Sequence, residues 1–455
     1  MSKSHRVKSR QISSISIDQV KESLGNVSVP GDIDAFVSAL LAPATNVIRV
    51  RDEVSAAELP MPTTPVPWYR LGRRIETPTG RPSRFLAYAA GDYFIQDAGS
   101  LLALAAIGAD SPMAGKVICD LCAAPGGKAT ALVEAIGDSG FVLANEAIRS
   151  RLPALRYNMA RTGSDRYAIS CSDPDQLAEK LGGVFDAVLV DAPCSGQAMV
   201  ASGKQSKSSL LPKQIQHSAA RQNRILDAAC KMLRPGGMLI YSTCTFAEAE
   251  NEAQIDRLIE SGTALPNPIA HLSTWETTAA CYRLWPHLHE CGGSFAASMV
   301  VDRPPEPSST RDRRIRQRQP DRLPVDLAEW YQYADEQVAT KVLDSVILGW
   351  PADLPDWVKG VADSGPELAH RAGQTWKPAH AGGLRRLPRC QAKQRFNVDA
   401  QTACKFLRGE TIDCDLQGWC VVQWKERPIG WVKSNGKIGK NHLPSAARMQ
   451  GALSE

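Results

Sequence analysis

The sequence contains no hydrophobic run long enough to span a lipid bilayer. Its longest mostly apolar stretch, residues 98–109, is about a dozen residues long, whereas a membrane-spanning helix needs about 20. Residues 1–10 are basic, but the apolar stretch of a secretory signal does not follow them. These absences predict a cytoplasmic protein that has no contact with a membrane and carries a disordered basic arm at its N-terminus.

The sequence also lacks the paired Cys-x-x-Cys spacings that are typical of structural zinc sites. Of its 12 cysteines, Cys119 and Cys122 have this spacing, and no second pair stands near them. We therefore expect no metal ion. Because no secretory signal is evident, we expect reduced thiols, most of them buried as small apolar side chains.

A strong excess of positive charge is absent as well. The net charge of +5 and the pI near 8.5 fall short of the balance expected of a strongly basic nucleic-acid-binding domain. Two local clusters contain basic residues in excess: Arg303, Arg311, Arg313, Arg314, Arg316, Arg318 and Arg322, and Lys425, Arg427, Lys433, Lys437, Lys440 and Arg448. Such clusters suit phosphate contacts, but a charge run is more often solvated surface or linker. Charge alone therefore does not identify the ligand.

The pattern of the chain predicts five parts. Residues 1–95 contain a helical stretch (33–41), an extended segment (NVIRVR) and a Pro-rich connector (60–67), and they predict an N-terminal α+β accessory domain. Residues 96–302 alternate short β-rich runs with helices, which indicates an α/β, doubly wound Rossmann-like domain. The remaining parts are a basic, Pro-rich linker (303–325), a bridging segment of undecided role (326–379) and a small β-rich domain (380–455).

The turn after the first predicted strand, KVICDLC, is a candidate cofactor loop. It consists of Cys122, Ala123, Ala124, Pro125, Gly126, Gly127 and Lys128. Its spacing matches neither the phosphate-binding loop nor the dinucleotide-binding Gly-x-Gly-x-x-Gly. Small residues at a strand-to-helix junction let a ligand approach the backbone, and the helix N-terminus offers N–H donors. Such a loop suits a cofactor whose tail is an amino acid.

Acidic residues end the next three predicted strands. Glu146 ends the second strand, where a carboxylate can accept two hydrogen bonds from a ribose diol. Asp173 ends the third, on the side expected for an adenine ring, and Asp191 ends the fourth. An isolated acid at such a position is more often a helix N-cap or a solvated loop residue. Three at successive strand ends favour a binding site.

Two cysteines follow the fourth and fifth predicted strands, in Asp191-Ala-Pro-Cys194 and Ser242-Thr-Cys244. Neighbouring parallel strands end at the same edge of a sheet, so both cysteines should lie beside the cofactor loop. A cysteine there acts as a nucleophile where helix N-termini or cations lower its pKa. These residues alone do not decide which of the two attacks.

The segments DLCAAPGGKAT, LVDAPCSG and YSTCTFAEAENE, in this order and spacing, resemble the Sun/Fmu family of RNA cytosine-C5 methyltransferases. The similarity includes GDYFIQDAGS upstream and RLWPHLHECGGSF downstream, and it covers roughly residues 30–300. The resemblance implies an S-adenosyl-L-methionine-dependent enzyme that forms a covalent cysteine–cytosine adduct.

The roles of individual residues follow from this resemblance. Cys244 would add to carbon 6 of cytosine and make carbon 5 nucleophilic, and Cys194 would aid release of the methylated product. The family's cofactor residues map onto 122–128, Glu146, Asp173 and Asp191. Asp191 is also the candidate to hydrogen-bond to the cytosine ring and stabilise the developing charge.

The C-terminal segments CKFLRGETI and GWCVVQWKERPIGWVKSNGKIGKNHLPSAAR resemble the PUA-like RNA-binding domain of bacterial members that modify small-subunit ribosomal RNA. Lys433, Lys440 and Arg448 are the candidate RNA contacts. Three tryptophans could stack on bases or fill a small core, and the core is favoured: Trp419, Trp424 and Trp431.

These resemblances predict ribosomal RNA as the substrate, bound as naked RNA or within a ribosomal subunit, with transfer RNA as the alternative. A non-catalytic RNA-binding or ribosome-assembly factor on the same scaffold is the rival from another functional class. A DNA methyltransferase is disfavoured by the C-terminal domain. The oligomeric state stays open.

Two segments depart from the family pattern. After DAPCSG the chain has QAMV, and HECGGS replaces a more regular Gly-Glu-Gly-His stretch. Neither segment contains a matched catalytic residue. Both lie where RNA is expected to pass, so we expect them to bear on the target and not on the reaction.

Overall fold

The computed structural model describes residues 17–24, 27–42, 46–76, 80–200, 207–302, 323–333, 335–451 and 453–454. The predicted basic arm and almost all of the predicted linker (303–322) lie outside the described residues. Within the described ranges, no helix is both long and apolar enough to cross a membrane.

The N-terminal part combines short helices with a four-stranded antiparallel sheet in the order β2-β3-β1-β4. Its elements are α1 (Ile17–Leu24), α2 (Ile33–Leu40), α3 (Glu53–Ala57) and α4 (Leu86–Ala89), and β1 (Val47–Val50), β2 (Thr63–Val66), β3 (Tyr69–Ile75) and β4 (Tyr93–Ile95). The interpretation of 60–67 as a mere connector is wrong, because β2 lies within it. This strand is at the sheet edge, where Pro65 need not donate a ladder hydrogen bond.

A nine-stranded mixed sheet forms the central part. Its order is β11-β12-β13-β9-β8-β5-β6-β7, with β10 paired to β13. The strands are β5 (Val117–Asp120), β6 (Phe141–Asn145), β7 (Tyr167–Ser170), β8 (Phe185–Asp191), β9 (Leu233–Thr243), β10 (Leu265–Pro266), β11 (Glu276–Thr278), β12 (Cys281–Leu284) and β13 (Ser294–Val301). Strands β5 to β9 pair in parallel, and β13 is antiparallel to β9. The predicted doubly wound, Rossmann-like fold is confirmed.

Helices cover both faces of this sheet. They are α5 (Leu101–Ile107), α6 (Gly127–Ile136), α7 (Leu152–Arg161), α8 (Pro174–Lys180), α9 (Pro212–Met232), α10 (Glu252–Glu260) and α11 (Pro286–His289). All seven residues of α5 are buried, as expected for a helix that is apolar on every side and packs against β3, β9 and β13. The helix predicted at 148–159 begins later, since a 3-10 turn at Arg149–Arg151 precedes α7.

The strand order reverses at β5, whose neighbours β6 and β8 lie on its two sides. In a doubly wound sheet, such a reversal leaves a crevice beyond the carboxyl ends of the strands, where ligands bind. The candidate site residues follow the carboxyl ends of β5 to β9. The topology therefore brings them to one edge of the sheet.

The described residues of the C-terminal part form three further sheets. An antiparallel meander has the order β15-β16-β17-β18, a five-stranded sheet has the order β20-β22-β23-β24-β21, and β14 pairs with β19. The helices are α12 (Val358–Val361), α13 (His380–Gly383) and α14 (Ala400–Leu407). The strands are β14 (Tyr331–Tyr333), β15 (Val338–Leu343), β16 (Val346–Pro351), β17 (Glu367–Ala372), β18 (Thr375–Pro378), β19 (Cys390–Ala392), β20 (Arg395–Asn397), β21 (Ile412–Asp413), β22 (Gln417–Trp424), β23 (Arg427–Asn435) and β24 (Ile438–Asn441).

The meander packs against β7, the last strand of the central sheet. The backbone N–H of Ile169 donates to the carbonyl of Ser364 at 2.9 Å. The buried Trp350 indole donates from Nε1 to the carbonyl of Tyr167 at 2.7 Å. The bridging segment 326–379 thus contains a small sheet that is fixed to the central domain.

Candidate active site

The cofactor loop 122–128 joins β5 to α6 and packs closely against α7. Gly126 has φ of +114°, and a Cβ added there would lie 3.2 Å from Asn158 Cβ and 3.3 Å from Leu155 Cδ1. Asn158 Nδ2 donates to the carbonyl of Pro125 at 2.9 Å. The loop therefore depends on glycine at this position, and α7 holds it in place.

Lys128 and Asp191 form an ion pair across the crevice. Lys128 Nζ lies 2.6 Å from Asp191 Oδ2, and the Ser242 hydroxyl donates to Asp191 Oδ1 at 2.8 Å. Burial alone would lower the pKa of Lys128, but the adjacent Asp191 carboxylate outweighs it and the pKa is raised. Lys128 at the start of α6 and Ser242 near the end of β9 thus fix the carboxylate of Asp191, which ends β8, at the edge of the sheet.

Asp120 is a further acidic residue of this edge that sequence reasoning missed. It ends β5 and is 1% exposed. Burial raises its pKa to about 7, with a further contribution from the negative charge of Asp191, while Lys128 opposes the shift. The strand-end argument used for Glu146 and Asp191 applies equally to Asp120, because it stands directly before the LCAAPGGK loop.

Glu146 ends β6 as predicted and is buried. Its Oε1 accepts a hydrogen bond from the backbone N–H of Ile148 at 2.9 Å, and Arg151 Nη1 lies 2.9 Å from its Oε2. This carboxylate lies at the edge of the crevice, and Arg151 compensates its negative charge. Its contact with a ribose stays a prediction.

Asp173 caps a helix, which is the alternative to ligand binding that the sequence also allowed for this residue. Its carboxylate accepts a hydrogen bond from the backbone N–H of Asp175 and caps α8. Arg224 Nη2 lies 3.1 Å from its Oδ2. Capping does not exclude a ligand contact, so the predicted adenine contact stays a prediction.

The two candidate cysteines are in contact. The Sγ atoms of Cys194 and Cys244 lie 3.3 Å apart, a hydrogen-bond distance and far longer than a disulfide bond. The hydrogen bond to Cys244 and burial raise the pKa of Cys194 well above its usual value. Cys194 is therefore a protonated thiol at neutral pH as long as the Cys244 sulfur has formed no covalent bond.

A buried polar network holds the two cysteine loops against each other, and sequence reasoning assigned it no role. Glu250 Oε2 accepts hydrogen bonds from the backbone N–H of Ser195 and from Gln222 Nε2, each at 2.9 Å. Gln222 Nε2 also donates to the carbonyl of Pro193 at 3.2 Å. Burial raises the pKa of Glu250. The signal was present in AEAENE, where an acid sits beside the Thr-Cys-Thr motif.

Gln197, in the departing QAMV segment, also belongs to this scaffold. It is 1% exposed, and its Oε1 accepts a hydrogen bond from the backbone N–H of Phe246 at 2.8 Å. The next residue, Ala198, donates its N–H to the carbonyl of Cys244 at 3.0 Å. The buried side chain thus supports the backbone that follows Cys244.

The second departing segment is held by Asp97, from GDYFIQDAGS. Its Oδ2 accepts a hydrogen bond from the backbone N–H of Gly292 at 2.9 Å, and its Oδ1 from Gly99 at 2.8 Å. Burial raises the pKa of Asp97, although these hydrogen bonds oppose the shift. HECGGS is therefore fixed to the segment that enters the central domain.

The predicted RNA contacts lie in the C-terminal part and not at this crevice. Lys433 and Lys440 are exposed on β23 and β24, and Arg448 is exposed beyond them. Trp424 and Trp431 are 5% and 1% exposed, so the core interpretation is confirmed for these two.

A family model described as 16S rRNA methyltransferase RsmB/F matches residues 109–300. A second, described as the methyltransferase RsmF PUA domain, matches residues 393–449. The chain therefore contains an RsmB/F methyltransferase domain followed by an RsmF PUA domain. The resemblance to the Sun/Fmu family and the prediction of a methyltransferase are thereby confirmed.

Relatives of this RsmB/F chain span nearly its whole length. The ribosomal RNA small subunit methyltransferase F proteins of Shigella boydii and Escherichia coli K12 are each 29% identical over 463 aligned positions, covering 92% of this chain and 94% of the relative.

Solved structures show the same fold for this RsmB/F chain. A methyltransferase homolog protein from Pyrococcus horikoshii has a TM-score of 0.53 at 24% identity, covering 63% of this chain and 100% of that one. NSun6 from Pyrococcus horikoshii has a TM-score of 0.52 at 20% identity, with coverages of 63% and 98%.

Proposed function

We propose that this chain transfers a methyl group from S-adenosyl-L-methionine to carbon 5 of a cytosine in ribosomal RNA, through a covalent bond between Cys244 and the base. The observation that carries the proposal is the 3.3 Å approach of the two cysteine sulfurs at the edge where Asp191 pairs with Lys128. The reaction requires a nucleophile, a group that assists release and polar groups that stabilise developing charge. These four side chains supply all three.

The small residues of the cofactor loop support binding of S-adenosyl-L-methionine. A Cβ on Gly127 would lie 3.1 Å from Gln96 Oε1, a close contact that glycine avoids. The buried Glu146 carboxylate suits a ribose diol. The bound cofactor supplies the electrophilic methyl group. The NSun6 structure, solved with the S-adenosylmethionine analogue SFG, supports this assignment.

The chain's own residues would act in a fixed order. The target cytosine leaves its stack, because carbon 6 cannot be attacked within a helix. Cys244 gives up its proton to water and its sulfur bonds to carbon 6. The electron pair of the C5=C6 bond then becomes available at carbon 5 to take the methyl group. Asp191, held by Lys128 and Ser242, hydrogen-bonds to the ring and stabilises the developing charge.

Release needs a base for the carbon-5 proton, and Cys194 is placed to provide it. While Cys244 is free, the contact between the sulfurs keeps the pKa of Cys194 raised. Once the Cys244 sulfur is bonded to carbon 6 it can carry no negative charge, so the pKa of Cys194 falls. Cys194 then loses its own proton to water, and the resulting thiolate takes the carbon-5 proton. The C5=C6 bond re-forms, and the bond from Cys244 to carbon 6 breaks with its electron pair returning to the Cys244 sulfur.

Ribosomal RNA is the substrate class that the similarities support. The full-length relatives are named as ribosomal RNA small subunit methyltransferases, and the C-terminal match is to the PUA domain of the same group. Transfer RNA is the alternative with the same chemistry. A cytoplasmic location is part of the proposal.

Bisulfite sequencing of total RNA from cells with and without the gene tests the proposal. One ribosomal RNA cytosine should lose methylation without the gene, and regain it with the wild-type chain but not with Cys244→Ala. Restoration by Cys244→Ala would refute the nucleophile. An unchanged methylation map, together with purified protein that methylates no RNA, would favour the rival, a non-catalytic RNA-binding factor.

A further inference from the structure

Three neighbouring strands of the C-terminal sheet place an aromatic ring and two lysines in one row. Trp419 on β22 is directly opposite Lys433 on β23, and Lys433 is directly opposite Lys440 on β24. Residues directly opposite each other in an antiparallel sheet share a face. Lys433 Nζ lies 5.7 Å from the centre of the Trp419 ring. Trp419 is half-buried, unlike the buried Trp431 beneath it.

His442 follows β24 directly and lies beside Trp419. Its ring centre lies 4.4 Å from that of Trp419. Burial and, after it, the positive charges of Lys377, Lys440 and Lys433 together lower the pKa of His442 to about 4. Within the described part of the chain, none of these three lysines takes part in an ion pair.

Lys377 belongs to the meander, the small sheet within the bridging segment. It lies on β18 and is directly opposite His370 on β17. Its charge also contributes to the lowered pKa of His370, after burial. A segment whose role the sequence left open therefore supplies a cation to the same surface as Trp419.

Buried contacts fix the meander and the C-terminal sheet relative to each other. Trp431 Nε1 donates to the carbonyl of Ala379, directly after β18, at 2.9 Å. A Cβ on Gly383 would lie 2.4 Å from Trp431 Nε1, so the indole packs tightly against α13. Lys377 stands two residues before Ala379, and the ring centres of Trp431 and Trp419 lie 6.2 Å apart, so these contacts bring the end of β18 close to Trp419.

We propose that the meander and the C-terminal sheet together form one binding site for single-stranded RNA. In this site an unpaired base stacks on Trp419, and its flanking phosphates contact Lys377, Lys433 and Lys440. An aromatic platform bordered by unpaired cations is the arrangement with which proteins hold single strands. The inference rests on the proposed function, because it takes RNA as the partner, and it adds residues 326–379 to RNA recognition.

The test measures binding of the full-length chain, without cofactor, to a fluorescein-labelled single-stranded RNA of 12 mixed-sequence nucleotides. Fluorescence anisotropy is followed over a range of salt concentrations. Lys377→Ala should reduce the salt slope of log Kd by about one unit, as expected for one lost phosphate contact. The matched control is Lys405→Ala, which removes an exposed lysine from α14, a helix that packs against the same sheet.

Trp419→Ala should weaken binding to this strand roughly tenfold or more, and Trp419→Phe should retain most of the affinity, because both rings can stack. Binding to a fully paired hairpin of the same length should change far less. If Lys377→Ala and Trp419→Ala both bind like Lys405→Ala, the shared site is refuted.

The outcome separates this inference from the proposed function. A wild-type chain that binds the strand, with variants that bind equally well, overturns the shared site alone. A chain that binds the strand through Trp419 and Lys377 but methylates no cytosine overturns the methyltransferase proposal and supports the shared site. A wild-type chain that binds no RNA overturns both.

Discussion

Asp92 and Arg427 join the N-terminal and C-terminal parts of the molecule. Arg427 Nε lies 3.0 Å from Asp92 Oδ1, and Arg386 Nη2 lies 3.7 Å from the same oxygen. The Asp92 side chain is 4% exposed. Burial raises its pKa, and the two arginines oppose that shift. One buried carboxylate thus compensates two guanidinium groups that come from the far end of the chain.

Asp92→Ala should lower the free energy of unfolding by about 3 kcal/mol, because it leaves the partly buried Arg386 without an ion-pair partner and Arg427 with only the half-exposed Glu58. Urea titration followed by tryptophan fluorescence measures the loss. The matched control is Glu53→Ala, since Glu53 pairs with Arg70 where both side chains are about half exposed. That substitution should cost less than about 1 kcal/mol. Equal losses for the two variants would contradict a special role for Asp92.

Cys194→Ala should trap a covalent complex between the protein and RNA. Without Cys194 the carbon-5 proton is removed slowly, so the adduct should survive as a shifted band on a denaturing gel. The double variant Cys194→Ala/Cys244→Ala should give no band, because it lacks the attacking sulfur. A band that persists in the double variant would place the nucleophile elsewhere.

Asp120→Asn should change how stability depends on pH. The carboxyl has a pKa of about 7 in the folded chain and about 4 when unfolded, so the wild type loses stability as pH rises between these values. Asparagine has no such loss. Without cofactor, the free energy of unfolding of the variant relative to wild type should therefore be higher at pH 8 than at pH 5. Parallel pH profiles would show that Asp120 is ionised in the fold.

Gly126→Ala should lower the affinity for S-adenosyl-L-methionine by at least about tenfold, because a Cβ there pushes the loop away from α7. Gly108→Ala is the matched control. Gly108 also has a positive φ, but a Cβ there meets nothing within 4 Å. Calorimetric titration of both variants with the cofactor measures the difference. Equal affinities of the two variants for the cofactor would mean that the crowding at α7 does not affect binding.

The close approach of Cys194 and Cys244 could be predicted from the sequence. Both follow buried strands, and the parallel pairing of β8 with β9 brings their ends together whatever the surrounding loops do. The same reasoning located the cofactor loop, Glu146 and Asp191. The order of strands and the sheet edge are properties of hydrophobic pattern and chain connectivity, which a single sequence contains.

Other features needed the three-dimensional contacts. Gln197 looked like a departure in the RNA path, yet its amide is buried and bonded to Phe246. Asp173 caps a helix, which a strand-end pattern does not distinguish from a ligand contact. The ion pair of Asp92 and Arg427 joins two residues that are far apart in the sequence, so no local pattern of residues predicts it. Side-chain hydrogen bonds between distant segments leave no pattern in the sequence.

The backbone hydrogen bond between Ile169 and Ser364 covers part of the edge strand of the central sheet. Strand β7 ends the central sheet, and an uncovered strand edge presents free N–H and C=O groups that can pair with another copy of the chain. The meander blocks part of this edge, and Trp350 covers the backbone beside it. A fragment that stops at residue 302 would expose this edge and self-associate. The region after the linker therefore also protects the chain from aggregation.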